Sequence, residues 1–296
     1  MKKKILIVVN SLSFFITHRI EIASAAKNKG YDVKVFYGEL GNADTKVLTK
    51  MDIDCFHLPF NRKSINPLRE LWYLISFILL FYKYKPDIVH LITIKAYLYG
   101  GIAARLTNIP CVLSAIAGLG FLFNQKYFLN KIIIKLLYPF FSYALNHPNQ
   151  KIIVQNKDDK KKIIKWFGLN ENKVVLFNGS GVNLSKFTNL DYLSDIITVC
   201  FASRLLYDKG VMDFVSAAKL IYSRGFKVKF LLAGDLDPGN PTSLKENDLL
   251  KIKNDKIIQL LGYQKDIPSL FAIFIFGSPS SSKSDLRSDI STGLFK

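Results

Sequence analysis

The feature that most constrains this chain is a regular alternation. Short apolar runs at 4–9, 33–37, 88–92, 111–115, 152–155 and 174–177 are separated by helical periodicity at 17–29, 67–84, 97–107, 128–146 and 158–167. Runs of this length suit strands buried on both faces, and strand–helix alternation predicts a parallel sheet with helices on both sides. Gly30 fits a helix stop, and Lys85-Pro86-Asp87 fits a helix-to-strand turn. The periodicity lapses at 183–194 ("NLSKFTNLDYLS") and then restarts, with strands at 196–202, 227–233 and 256–261 and helices at 210–224 and 243–253. The expected fold is α/β: two Rossmann-like doubly wound domains, 1–190 and 191–272, facing a cleft, followed by a divergent tail, 273–296.

Several function classes are disfavoured. The opening "MKKKILIVVN" has too short an apolar run for a signal peptide and reads as a first buried strand. The longest apolar run, "LWYLISFILLFY" (71–82), is too short to span a bilayer. Cys55, Cys111 and Cys200 lie far apart, which suits buried, reduced thiols in a cytoplasmic protein. The four histidines have no zinc spacing, so no metal site is expected. Residues 1–190 hold 27 Lys/Arg against 11 Asp/Glu, a net +16, whereas 191–296 hold 14 against 12, a net +2. A basic first half suits nucleic acid, an anionic membrane face or a phosphorylated substrate, and a lysine-rich proteome would raise the count with no function at all. The charge is not gathered into a nucleic-acid-binding module, and no nucleic-acid partner is expected.

In open α/β sheets, ligands bind at the carboxyl ends of strands. After the first strand, "NSLSFFITHR" (10–19) lacks a dinucleotide fingerprint; Ser11 and Ser13 can cap a helix, and His18 can be a base or a packed side chain. "AIAGLGF" (115–121) offers Gly118 and Gly120, either for close backbone approach to a ligand or for a loop that needs glycine. "FNGSGVN" (177–183) offers Gly179 and Ser180, whose open N–H groups suit an anion or a hinge. In the second half, "ASRLLYDKG" ends a strand and opens a helix. Arg204 and Lys209 are then a phosphate clamp or two solvated charges. Gly234 and Asp235 end the next strand, and Gly262 the one after. Glycine or cations at three consecutive strand ends favour a nucleoside-diphosphate ligand.

These motifs together resemble bacterial family 4 glycosyltransferases of the GT-B fold, in the group that builds O-antigen, capsule and exopolysaccharide. The matching stretches are "VVNSLSFFITHR", "KPDIVHLITIKAYLYGGIAARL", "SAIAGLGFLF", "VQNKDD", "NGSGVNLSKF", "ASRLLYDKGVMDFVSAAK", "LLAGDLDPGNP" and "LLGYQKDIPSLF". The resemblance implies a retaining hexosyl or N-acetylhexosaminyl transferase with no cofactor or metal. Its donor would be a nucleotide sugar, UDP-linked, and its acceptor a lipid-linked saccharide. By similarity, Arg204 and Lys209 hold the donor diphosphate and stabilise the leaving nucleotide. Gly118, Gly120, Gly179, Ser180, Gly234, Asp235 and Gly262 line the donor cleft, and Asn10, His18, His90 and Lys95 fall on the acceptor side. Such an acceptor implies a cytoplasmic protein in peripheral contact with the inner face of an anionic membrane. The apolar, cation-bearing stretches 69–85 and 126–145 either make that contact or pack into the first domain.

The family pattern continues with a loop bearing two glutamates, but here the last glutamate is Glu246 and the chain runs on as "IFIFGSPSSSKSDLRSDISTGLFK". Three strands in the second half, against roughly six in a full doubly wound sheet, leave on the order of 80–100 residues unaccounted for. The expectation is an incomplete second domain with an out-of-frame, disordered tail, or a short variant completed by another chain. The alternative function is a non-catalytic remnant that binds membrane or nucleotide.

Overall fold

The computed structural model describes residues 2–61, 64, 66–119, 123, 128–179, 181 and 196–272. The chain divides into two compact units, Met1–Gly181 and Val182–Lys296. The boundary expected at 190/191 and the tail 273–296 both lie outside the described residues.

The first unit is a seven-stranded parallel sheet: β1 (Lys4–Ser11), β2 (Asp32–Glu39), β3 (Asp54–His57), β4 (Ile88–Ile92), β5 (Cys111–Ile116), β6 (Gln150–Val154) and β7 (Val174–Leu176), in the order β3-β2-β1-β4-β5-β6-β7. The order reverses between β1 and β4, the switch point at which doubly wound sheets bind ligands. Helices α1 (Leu12–His18), α2 (Ile20–Asn28) and α3 (Lys46–Lys50) cover one face, around Ile7, Val9, Phe15 and Leu48. Helices α4 (Pro67–Tyr84), α5 (Ile94–Leu106), α6 (Phe128–Leu145) and α7 (Lys157–Phe167) cover the other, around Leu6, Phe77, Tyr97, Phe141 and Phe167.

Local chemistry explains the helix ends. Asn66 caps α4 by accepting from the Leu68 and Arg69 N–H groups, Pro67 sits in its first turn, and Lys85 ends it in the left-handed region at φ 46°. Tyr73, Phe77, Leu80 and Phe81 recur on one stripe and are buried. A Cβ on Gly101 of α5 would lie 2.7 Å from the Ala144 carbonyl oxygen, so glycine lets α6 pack directly on α5.

Several details depart from the sequence reading. The helix expected at 17–29 starts at Leu12, capped by the Ser11 hydroxyl, and breaks at Arg19, where φ is −137°. Ser13 lies inside α1 and is not a cap. Strand β3 was unexpected, and only Cys200 is buried, Cys55 and Cys111 being half-buried.

The second unit carries β8 (Ile197–Ala202), α8 (Val211–Ser223), β9 (Val228–Ala233), α9 (Glu246–Asn254), β10 (Ile258–Gly262) and α10 (Ile267–Ala272). Its described strands are parallel, in the order β10-β9-β8. Phe201, Val215, Phe230, Leu232 and Ile252 form its main core. The helix expected from 243 begins at Glu246 because the preceding residues are tied to the loop after β8: Tyr207 N–H donates to the Thr242 carbonyl and Leu244 N–H to the Leu205 carbonyl, both at 2.8 Å.

Candidate functional site

In the second unit the three strand ends singled out in the sequence are neighbours. At the end of β8, Ser203 N–H donates to the Ala233 carbonyl at 3.0 Å. Leu205 N–H donates to the Asp235 carbonyl at 3.0 Å, and Gly234 N–H to the Gly262 carbonyl at 2.8 Å. Gly234 makes this convergence possible. Its φ is +142°, and a Cβ there would lie 1.8 Å from the Ser203 carbonyl oxygen, so any side chain would push the β8 and β9 loops apart.

Arg204 therefore stands over the loop that follows β9. Its Nη1 donates to Asp237 Oδ2 at 2.7 Å, and its side chain remains 53% exposed. Asp237 is itself held, because its N–H donates to the Ser243 hydroxyl at 3.0 Å. One arm of the guanidinium is thus oriented by a carboxylate while the side chain stays half exposed, and a guanidinium's remaining donors suit a phosphate. Lys209 closes a 3-10 turn, Tyr207–Lys209, and is half-buried. Gly210 follows at φ 77° as the N-cap of α8, with no side-chain bond to the helix N–H groups. One loop thus carries Arg204, Lys209 and an uncapped helix N-terminus, all favouring negative charge. Asp235 is exposed at the end of β9, and Gly262 closes β10 at φ 65°. Asp237 was not anticipated as part of this group, although it lies within the quoted "GDLDPGNP".

In the first unit, Asn10 and Thr93 meet at the switch point. The Thr93 hydroxyl donates to Asn10 Oδ1 at 2.6 Å, and Asn10 is buried near the end of β1. Thr93 has φ 85° and ψ 159°, a region populated almost only by glycine. Gly118 (φ +136°) follows β5 and Gly179 (φ +89°) follows β7, and neither has an atom within 4 Å of where a Cβ would sit. Gly120 and Ser180 lie outside the described residues.

Of the remaining acceptor-side residues, His90 and Lys95 are packed, whereas His18 is exposed. It ends α1, stacked on Phe14 with centroids 4.7 Å apart, and partial desolvation against that ring lowers its pKa. His90 lies within β4 and is 3% exposed. Its Nδ1 faces the Leu113 carbonyl at 3.2 Å, so that nitrogen carries the proton of a neutral ring. Complete burial, with the nearby Arg19 charge, brings His90 down to about 4. Lys95, in the first turn of α5, donates to both Glu70 carboxylate oxygens (2.7 and 2.9 Å) and to the Ser64 carbonyl (2.7 Å). Tyr99 shares the same carboxylate. Lys95 thus ties α4 to α5. Among the described residues, no group of three or more His, Cys, Asp or Glu side chains is placed to hold a metal ion.

Residues 4–156 match the glycosyl transferase 4-like family, and the chain belongs to that family. It is similar to the capsular polysaccharide biosynthesis glycosyltransferase CapM of Staphylococcus aureus, 28% identical over 272 residues that cover 84% of this chain and 66% of that protein. It is also similar to the UDP-Gal:alpha-D-GlcNAc-diphosphoundecaprenol alpha-1,3-galactosyltransferase of Escherichia coli, 27% identical over 267 residues that cover 86% of this chain and 66% of that protein. The chain therefore spans just under two thirds of the length of these curated relatives. In fold it resembles Anabaena Alr3699/HepE, solved in complex with UDP, with a TM-score of 0.66 and 17% identity over 93% of this chain and 72% of that one. The architecture is that of GT-B-like glycosyltransferases.

Proposed function

We propose that this chain transfers a sugar from a nucleoside-diphosphate donor, UDP-linked, to a lipid-linked saccharide in cell-surface polysaccharide synthesis. The observation that carries the reading is the convergence of Arg204, Lys209, Gly234 and Gly262 at adjacent strand ends of the second unit, in a chain whose first unit belongs to a glycosyltransferase family. Arg204 binds the diphosphate, and Lys209 with the α8 N-terminus adds positive charge where negative charge develops on the leaving nucleotide. These groups supply the electrostatic stabilisation without a cofactor. The acceptor sits at the first unit's switch point, beside Asn10 and Thr93. Transfer retains the anomeric configuration, as the family resemblance implies, and the sugar is a hexose or N-acetylhexosamine. Because the acceptor lipid lies in a bilayer, the protein works in peripheral contact with the inner membrane face. The E. coli relative's diphosphoundecaprenol acceptor and the UDP bound in the Anabaena structure support this choice of substrates. The test is incubation of the purified chain with UDP-sugars and detergent-solubilised diphosphoundecaprenol-linked saccharides, read by mass spectrometry. A product heavier by one hexosyl or N-acetylhexosaminyl unit is expected, and no product with any donor would contradict the reading.

A further inference from the structure

The connection from β3 to α4 is fixed at two points along the carboxyl end of the first sheet. The first point lies on β2. Leu58 N–H donates to the Tyr37 carbonyl at 2.9 Å, and Phe60 N–H to the Leu58 carbonyl at 2.7 Å. The Phe60 ring is 2% exposed and meets Phe77 of α4 edge-on, with centroids 5.4 Å apart. The Phe60 carbonyl then rests on Gly38. A Cβ at Gly38 would lie 2.2 Å from that oxygen and 3.1 Å from the Asn10 carbonyl oxygen. Backbone atoms cannot give way as the tip of a flexible side chain can, so any residue but glycine would lift the connection off β2.

The second point lies just past β4, at Lys95. Its three ammonium protons are matched by three oxygens: both of the Glu70 carboxylate, at 2.7 and 2.9 Å, and the Ser64 carbonyl, at 2.7 Å. The Tyr99 hydroxyl donates to the same carboxylate, and the Tyr73 ring lies 5.5 Å from the ammonium. With side chains 14% and 18% exposed, this clasp of Lys95 and Glu70 is shielded from water and little screened by salt. The family resemblance puts Lys95 on the acceptor side, yet its donors are engaged inside the clasp. Its effect on an acceptor is therefore indirect. In the sheet order β2-β1-β4, the two fixed points bracket β1, near whose end Asn10 accepts the Thr93 hydroxyl. We propose that this connection forms a wall of the acceptor site, and that Gly38 and Glu70 are positioning residues for the lipid-linked saccharide. Neither touches it; both act by holding the wall beside Asn10 and Thr93.

The inference rests on the acceptor placement proposed above, and its test separates the two. The full chain is assayed with UDP-sugars and the detergent-solubilised diphosphoundecaprenol-linked saccharide, and UDP affinity is measured by calorimetry. Gly38→Ala shifts the connection without altering a charge, and Glu70→Gln opens the clasp. Each is expected to raise the acceptor KM at least about tenfold. In both, kcat should fall less than about threefold, and UDP affinity, set in the second unit, should stay within about twofold of wild type. The double variant E70L/K95M removes both charges together and so regains stability lost in Glu70→Gln. Its acceptor KM should nevertheless stay raised. A purely structural clasp would let KM return to the wild-type value along with stability, and that result overturns the inference. So do folded Gly38→Ala and Glu70→Gln variants with wild-type KM, and so does a loss of UDP affinity that matches the rise in acceptor KM. A wild type that transfers no sugar overturns the acceptor placement and the inference together. Transfer by the wild type with unaltered KM in the variants overturns the inference alone.

Discussion

Thr93 occupies backbone space that a β-branched residue normally avoids, and it does so where β1 and β4 diverge. Strain of this kind costs about 1–3 kcal/mol and persists only where the surroundings enforce it. A direct consequence is a reversed residue preference. At an ordinary extended position alanine is more stabilising than glycine, but Thr93→Gly should be more stable than Thr93→Ala by about 1–2 kcal/mol in denaturant unfolding. Both variants lose the bond to Asn10, so their difference reports the backbone alone; an alanine variant as stable as the glycine variant would show that no strain is held there. His90 gives a second residue-scale prediction. Its folded pKa is lowered to about 4 from 6.5 by burial, so the unfolded chain binds its proton more readily over that interval. The stability that this neutral ring contributes is complete above pH 6.5 and is lost as pH falls toward 4, amounting to roughly 3 kcal/mol. The His90→Gln variant should lose correspondingly less stability than wild type between pH 7 and pH 4. Parallel pH profiles for the two proteins would refute this.

At the scale of elements, the sequence was most legible where burial on both faces left a continuous apolar run. β4 and α4 have the expected bounds, the end of α4 marked by the Lys85-Pro86-Asp87 turn, and the structure adds Asn66 and Pro67 at its start. β3 was illegible because Asp54–His57 forms an edge with only Cys55 partly buried inside it, giving neither a run nor an alternation. The break between α1 and α2 was also hidden, since Thr17-His18-Arg19 carries no glycine or proline to announce it. Among site residues, glycines at strand ends were readable because a strand-to-loop transition advertises them. The Arg204–Asp237 pair was not, because it joins two loops separated by a whole helix and strand. The same holds for Lys95: the helix expected at 97–107 starts after it, and only the fold shows it on α5 with Glu70 beside it. That pair is largely shielded, with side chains 14% and 18% exposed, so Glu70→Gln leaves a partly buried ammonium short of its counter-charge. A loss of about 2–4 kcal/mol is expected in thermal or denaturant unfolding. A change below about 0.5 kcal/mol would mean that the α4–α5 contact is held by its apolar stripe alone.

At the scale of the molecule, charge is divided unevenly between the two halves of the chain. Residues 1–181, the unit with the exposed apolar helices, hold 26 Lys/Arg against 11 Asp/Glu, a net +15, and the nearly neutral second half places Arg204 and Lys209 in the loop after β8. This asymmetry was visible in the sequence as a sum; its meaning depended on which lysines and arginines face solvent and which are paired. The central claim is that the strand-end loops of the second unit form a nucleoside-diphosphate site built around Arg204. The most direct test is calorimetric titration of UDP into the purified 296-residue chain, its Arg204→Ala variant and its Arg204→Lys variant. The account predicts measurable binding by the wild type and about 10- to 100-fold weaker binding by the alanine variant, the loss expected for charge-assisted bonds to phosphate. The lysine variant should fall between them. An alanine variant that is folded, as judged by circular dichroism, and binds UDP as tightly as wild type would contradict the claim.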